Sequence, residues 1–185
     1  MSNVNNVNSV KNGYVASTQQ AKLVASDGAG GDWFGQSVSV SADGSCAVIG
    51  AVYDDVEANT NQGSAYIFIR SGASWIQQAK LVASDGAGGD CFGQSVSVSA
   101  DGAYAVIGAY NDDVGANTNQ GSAYIFVRSG ANWIQQAKLV ASDGAVNDYF
   151  GWSVSVSADG ACAVIGAYVD DVGANADQGS AYIYA

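Results

Sequence analysis

Histidine is absent from the chain, which excludes a histidine-based catalytic triad and any zinc site that uses imidazole. Basic side chains are nearly as scarce: six Lys and Arg face seventeen Asp and Glu, for a net charge of −11. With no basic patch, nucleic acid is not an expected partner. No apolar run approaches the ~18–20 residues that a membrane-spanning helix needs, so no membrane partner is expected. The opening MSNVNNVNSVKN has no apolar stretch and does not read as a signal peptide. Cysteines number three, at positions 46, 91 and 162; an odd count is not a disulfide framework, and small buried or half-buried thiols fit it better. Proline is missing altogether, and nothing between the repeating units reads as a linker.

What the chain does have is glycine, 24 residues of it, and short valine-rich runs, with hydrophobic residues at 48%. That combination points to all-β structure. It is also written three times. AKLVASDGA begins at Ala21, Ala79 and Ala137, a period of 58 residues. The first two units differ at eight positions only: Trp33/Cys91, Ser45/Ala103, Cys46/Tyr104, Val52/Tyr110, Tyr53/Asn111, Glu57/Gly115, Ile69/Val127 and Ser74/Asn132. Each unit should therefore be one copy of one supersecondary structure.

Within a unit four strands can be read. FGQSVSV alternates valine and serine, as a half-buried strand does. CAVIGA is short and almost wholly apolar, as expected of a strand covered on both faces. SAYIFIR and WIQQAKLVAS follow, separated by SGAS. In order these are strands a, b, c and d. The turn ADGS joins a to b, YDDVEANTNQG joins b to c, and SDGAGGD leads from d into the next unit. Four antiparallel strands repeated every ~40–60 residues are the signature of a propeller blade. A lone four-stranded sheet, apolar on both faces, could not bury them by itself.

Three stretches carry a family likeness. Phe34-Gly35, Phe92-Gly93 and Phe150-Gly151, with Gly50-Ala51, Gly108-Ala109 and Gly166-Ala167, resemble the FG-GAP repeat of integrin alpha subunits and their relatives. The resemblance covers about residues 19–185 and implies a β-propeller of about seven blades, used for recognition rather than catalysis. It also implies an extracellular or cell-surface origin if the chain is part of something larger. Two features depart from the family. The Pro of GAP is replaced by Val52, Tyr110 and Tyr168. The Ca²⁺ loop between strands a and b is reduced to a single Asp43, Asp101 or Asp159, which cannot supply the oxygens that Ca²⁺ requires. These aspartates are expected to form turns.

Strand alternation sorts the acids onto two faces. The d–a and b–c loops share one face, which takes 14 of the 17 carboxylates. Its repeated members are Asp27, Asp32, Asp54 and Asp55, then Asp85, Asp90, Asp112 and Asp113, then Asp143, Asp148, Asp170 and Asp171. The bases are expected elsewhere, with Lys22, Lys80 and Lys138 on strand d and Arg70 and Arg128 at the opposite end of strand c. Three uses of this face compete: solubility and turn chemistry; a weak divalent-cation site, Ca²⁺ included, or a surface for a basic protein partner; and a lectin-like glycan site. The last is suggested by Trp33, Tyr53, Tyr110, Tyr149, Trp152 and Tyr168 beside the acids. Phe34, Tyr66, Phe68, Trp75 and Trp133 read instead as inter-blade packing. No catalytic residue, enzyme activity or bound cofactor is expected.

Three blades do not make a ring. Residues 1–18 read as a polar tail running into the start of a strand, and residues 19–185 as half a propeller. STQQAKLVAS near the N-terminus matches a d strand that precedes the first a strand, while the last unit reaches only strand c, GSAYIYA. The expectation is a homodimer of six blades, in which each N-terminal d strand, near 19–26, pairs with strand c of the other copy, near 179–184; the alternatives are a trimer of nine blades and a piece of one longer chain.

Overall fold

The computed structural model of the protein describes residues 18–185. Among them are eleven strands and no helix, and none therefore long and apolar enough to cross a membrane. The tail over residues 1–17 lies outside the described residues.

The first sheet contains β1 (Phe34–Val40), β2 (Cys46–Ala51), β3 (Ser64–Ser71) and β4 (Ser74–Leu81). The second contains β5 (Phe92–Val98), β6 (Tyr104–Ala109), β7 (Ser122–Ser129) and β8 (Asn132–Leu139). The third has β9 (Phe150–Val156), β10 (Ala163–Ala167) and β11 (Ser180–Tyr184). Every sheet is an antiparallel meander in chain order, a-b-c-d in the first two and a-b-c in the third. The a–b hairpins turn at Gly44, Gly102 and Gly160, whose φ values of 68°, 67° and 75° suit a residue without a Cβ. The a, b, c and d strands are thus blades, set face to face and open rather than closed into a ring.

The blades meet through a repeated interface. Cys46, Val48, Ala65 and Ile67 of the first blade pack on Phe92, Val96, Val98, Ile107 and Phe126 of the second. Val106, Ala123 and Ile125 of the second meet Phe150, Ile165, Tyr182 and Tyr184 of the third in the same way. Burying one such aromatic or branched side chain contributes roughly 1.5–3 kcal/mol. The serine face of strand a is not left to water. Ser37 Oγ donates to Gly93 O (2.7 Å) and Ser39 Oγ accepts from Val98 N (3.1 Å), so the serines bind the next blade. Phe92 N donates to Gln62 O (2.8 Å), and Ala42 N to Ala100 O (3.0 Å). The FG and GA glycines sit at the closest approach. A Cβ on Gly50 would overlap the Gly93 carbonyl, and one on Gly93 would overlap that of Ser64.

The segment expected as a spare d strand, near 19–26, forms no ladder here. Its sequence suits a strand, but it has no strand-c edge beside it. Leu23 and Ala25 instead lie against Ile49, Tyr66 and Phe68 on the outer face of the first blade.

Candidate functional site

The acidic face is built on a tyrosine that each c strand carries inward. Tyr66 on β3 is fully buried. Its hydroxyl lies 3.0 Å from Asp27 Oδ1 and 3.1 Å from Asp54 Oδ2. Lys80, at the end of β4, reaches the same pair, with Nζ 2.7 Å from Asp27 Oδ2 and 2.7 Å from Asp54 Oδ2. The second blade repeats the arrangement with Tyr124, Asp85, Asp112 and Lys138. The expectation that no base stands on the acidic face is thereby corrected for Lys80 and Lys138. Strand d runs toward this face, and a four-carbon stem near its end carries the ammonium into the loops.

Electrostatics follow from that geometry. The hydrogen bond from Lys80 holds the Asp27 carboxyl below its ordinary value. Burial works against the Lys80 charge, but its bonds to Asp27 and Asp54 outweigh burial and raise its pKa. Burial pushes the Tyr66 phenol up to about 12. The third blade has the tyrosine and both acids, with Tyr182 Oη 3.1 Å from Asp143 Oδ1 and 2.9 Å from Asp170 Oδ2. Among the described residues it has no lysine on that pair.

The remaining acids are mostly engaged within their own loops. Asp32, Asp90 and Asp148 are buried, and each accepts a bond from a backbone amide three residues earlier, on Ala29, Ala87 and Ala145. Burial, with Asp112 and Asp113 nearby, pushes Asp90 up to about 6. Burial also raises Asp148, with Asp170, Asp171 and Asp143 adding to it. Asp55, Asp113 and Asp171 accept from the amides of Asn61, Asn119 and Asp177 at 2.7–2.8 Å, closing the b–c loops. Among the described residues no group of three or more His, Cys, Asp or Glu is arranged to hold a metal ion. At the a–b turn, Asp43 accepts from Ser41 Oγ (2.6 Å) and Ser45 N (2.9 Å), and these bonds hold its pKa down to about 2. Asp101 and Asp159 repeat the turn.

Beside these loops, where strand a begins, the aromatics come together. Tyr110, Tyr149, Tyr168 and Trp152 form a closed cycle of rings, with successive centroids 5.7, 5.9, 4.6 and 4.8 Å apart. Trp152 and Tyr168 keep much of their surface exposed. Trp33 and Tyr53 form a separate pair, centroids 4.7 Å apart. Trp33, Cys91 and Tyr149 occupy one position of the repeat, and all three hold positive φ (56°, 60° and 55°), which is costly for side chains of this size. Four repeat positions that differ between copies meet here: 33/91/149, 36/94/152, 52/110/168 and 53/111/169. The lysine–tyrosine–carboxylate clusters are what sequence reasoning overlooked. Their signal was the constant spacing of Asp27, Asp54, Tyr66 and Lys80, repeated as Asp85, Asp112, Tyr124 and Lys138.

The FG-GAP repeat matches three times, over residues 17–68, 75–126 and 133–184. The chain belongs to the FG-GAP repeat family. The second and third matches begin on strand d of the preceding blade and so straddle two blades, whereas the first two sheets are built a-b-c-d and the third a-b-c. No curated protein matches the chain. Among solved structures, the hydrazine synthase of Kuenenia stuttgartiensis is similar over 86% of this chain, at 16% identity and a TM-score of 0.44; the chain spans 34% of that one.

Proposed function

We propose that this FG-GAP module is a non-catalytic recognition scaffold that closes into a six-bladed ring from two copies, with the acidic loop face presented to ligands or partners. The observation that carries the reading is the difference between inner and outer blades at equivalent positions. Val96 is 8% exposed between blades, while its copy Val38 is 68% exposed on the outer face of the first blade. Ile67 is fully buried, while its copy Ile183 is 72% exposed on the outer face of the third. The two open faces are therefore copies of the two halves of the interface between adjacent blades, and each fits the other. Two half-rings joined twice through this interface satisfy a twofold axis and leave no apolar face open. Six blades fall within the ~4–8 of known propellers.

Light scattering on the purified chain tests the reading. The expected mass is that of two chains, with dissociation on dilution. A folded single chain at every concentration, unaffected by deletion of residues 1–26, would sink it.

A second reading, of a lectin-like surface, is favoured by the Tyr110–Tyr149–Tyr168–Trp152 cycle beside carboxylates. A glycan array with Tyr168→Ala and Tyr110→Ala as controls tests it. Reproducible hits that both variants abolish would favour it over a protein partner.

A further inference from the structure

The third blade holds an incomplete copy of a cluster that is complete in the other two. Tyr182, Asp143 and Asp170 stand as Tyr66, Asp27 and Asp54 do, with the same hydrogen bonds from the phenol. In the first two blades a lysine from strand d lies within 2.7 Å of both carboxylates. The third blade has no d strand on its β11 edge among the described residues.

Register says which residue would arrive there. Strand c pairs with strand d as Ala65↔Leu81, Tyr66↔Lys80, Ile67↔Ala79 and Phe68↔Gln77, and the second blade repeats these pairs. Carried to the equivalent positions of the repeat, strand c two periods forward and strand d one period back, the pairs become Ala181 with Leu23, Tyr182 with Lys22, Ile183 with Ala21 and Tyr184 with Gln19. Lys22 is exposed and, among the described residues, makes no ion pair. It lines a hollow with Leu23 and Phe34 at the opposite end of the arc. A second contact follows the same register. Gln77 bonds Ser26 through both its amide atoms, at 2.9 and 3.0 Å, and Gln135 accepts from Ser84 N at 2.9 Å. Ser142 is the third copy of that serine, and Gln19 the glutamine that would meet it.

We infer that Lys22 of one copy completes the Asp143–Asp170–Tyr182 cluster of another, so that the acidic site of the third blade is assembled in trans. This rests on the two-chain ring. Lys22 neutralises a carboxylate pair, Asp170 buried and Asp143 exposed, that otherwise repels itself. It also sets the register of strand addition, because a slip by one residue would turn it to the other face of the sheet. The third blade thereby becomes like the first two only in the assembly.

The test uses the full chain, an equal mixture of unlabelled and ¹⁵N-labelled protein, and a zero-length carbodiimide that joins amines to touching carboxylates. Lys80 joined to Asp27 or Asp54 within one chain is the internal control. The expected product joins Lys22 to Asp143 or Asp170, with half of the cross-linked peptides mixing light and heavy halves. Lys22→Met should raise the dissociation constant of the two-chain species by about tenfold or more, with the fold of the single chain unchanged. Lys22→Arg should restore most of the loss. Raising NaCl should weaken the wild-type assembly more than the Met variant. A two-chain mass in which the control link forms and the Lys22 link does not would overturn the trans site while leaving the ring intact. A single-chain mass throughout would overturn both.

Discussion

Gly50 faces the carbonyl oxygen of Gly93 across the boundary between the first two blades, and a Cβ at position 50 would overlap that oxygen. Gly108 and Gly151 repeat the relationship at the next boundary. Gly166 is the third copy of Gly50, yet a Cβ there would meet only the hydroxyl of Ser153, which can rotate away. Gly108→Ala should destabilise the folded chain by about 1–3 kcal/mol through forced separation of two backbones. Gly166→Ala should leave single-chain stability within about 0.5 kcal/mol and yet abolish or weaken the two-chain mass. Denaturant unfolding and light scattering on both variants read the two effects separately. Equal damage to stability from the two would contradict a free outer face.

Thiol reactivity offers a probe that needs no mutation. Cys46 is fully buried against Gly102 of the next blade, and burial pushes its thiol up to about 11. Cys91 is buried too, and burial raises it. Cys162 occupies the position of Cys46 in the third blade, where no further blade covers it, and is only partly buried. At dilution it should be the one cysteine that reacts quickly with an aromatic disulfide reagent. In a ring, Gly44 of the second copy covers it as Gly102 covers Cys46, so its labelling rate should fall as protein concentration rises. A rate independent of concentration would count against the ring.

Stability should pass through a maximum near pH 4–5. Asp90, raised to about 6, binds a proton in the folded chain that the unfolded chain releases near the ordinary 3.8, so stability falls as pH rises through that window. Asp148 acts in the same direction. Asp27 and Asp85 are lowered in the folded chain, so their contribution is present above 3.8 and is lost as pH falls below it. Lys80 and Lys138 are raised, and their contribution, complete below about 10.5, is lost in strong alkali. Asp90→Asn keeps an acceptor for the Ala87 amide and removes the buried charge. It should raise stability at pH 7.5 by about 1 kcal/mol and flatten the slope between pH 4 and 6. Urea titrations at pH 3, 4.5 and 7.5 measure both effects.

Calcium should not act at the a–b turns. Asp101 serves Ser99 Oγ and the Ala103 amide, at 2.6 and 3.0 Å, and the turn offers no second carboxylate. Asp101→Ala should lower the melting temperature by about 2–4 °C, by the same amount with Ca²⁺ as with chelator. A calcium-dependent difference between variant and wild type would show that the turn binds the ion.

The all-β class, the period, the strand order and the turn role of Asp43, Asp101 and Asp159 are all written in local patterns. Alternation in FGQSVSV, the apolar CAVIGA and the glycine turns act over a few residues, and threefold repetition makes each visible. The placement of Lys80 was not legible, because a residue on strand d shows neither which way its side chain leans nor that Asp27, 53 residues away, waits for it. The meeting of Trp152 with Tyr110, from different repeats, is likewise a product of blade stacking. So is the sharp difference between Val38 and Val96, identical in sequence context and opposite in exposure. Sequence specifies what each blade can bury. What it does bury depends on the neighbour that the packed sheets put beside it, since burial is a property of pairs of surfaces brought together and not of a residue alone.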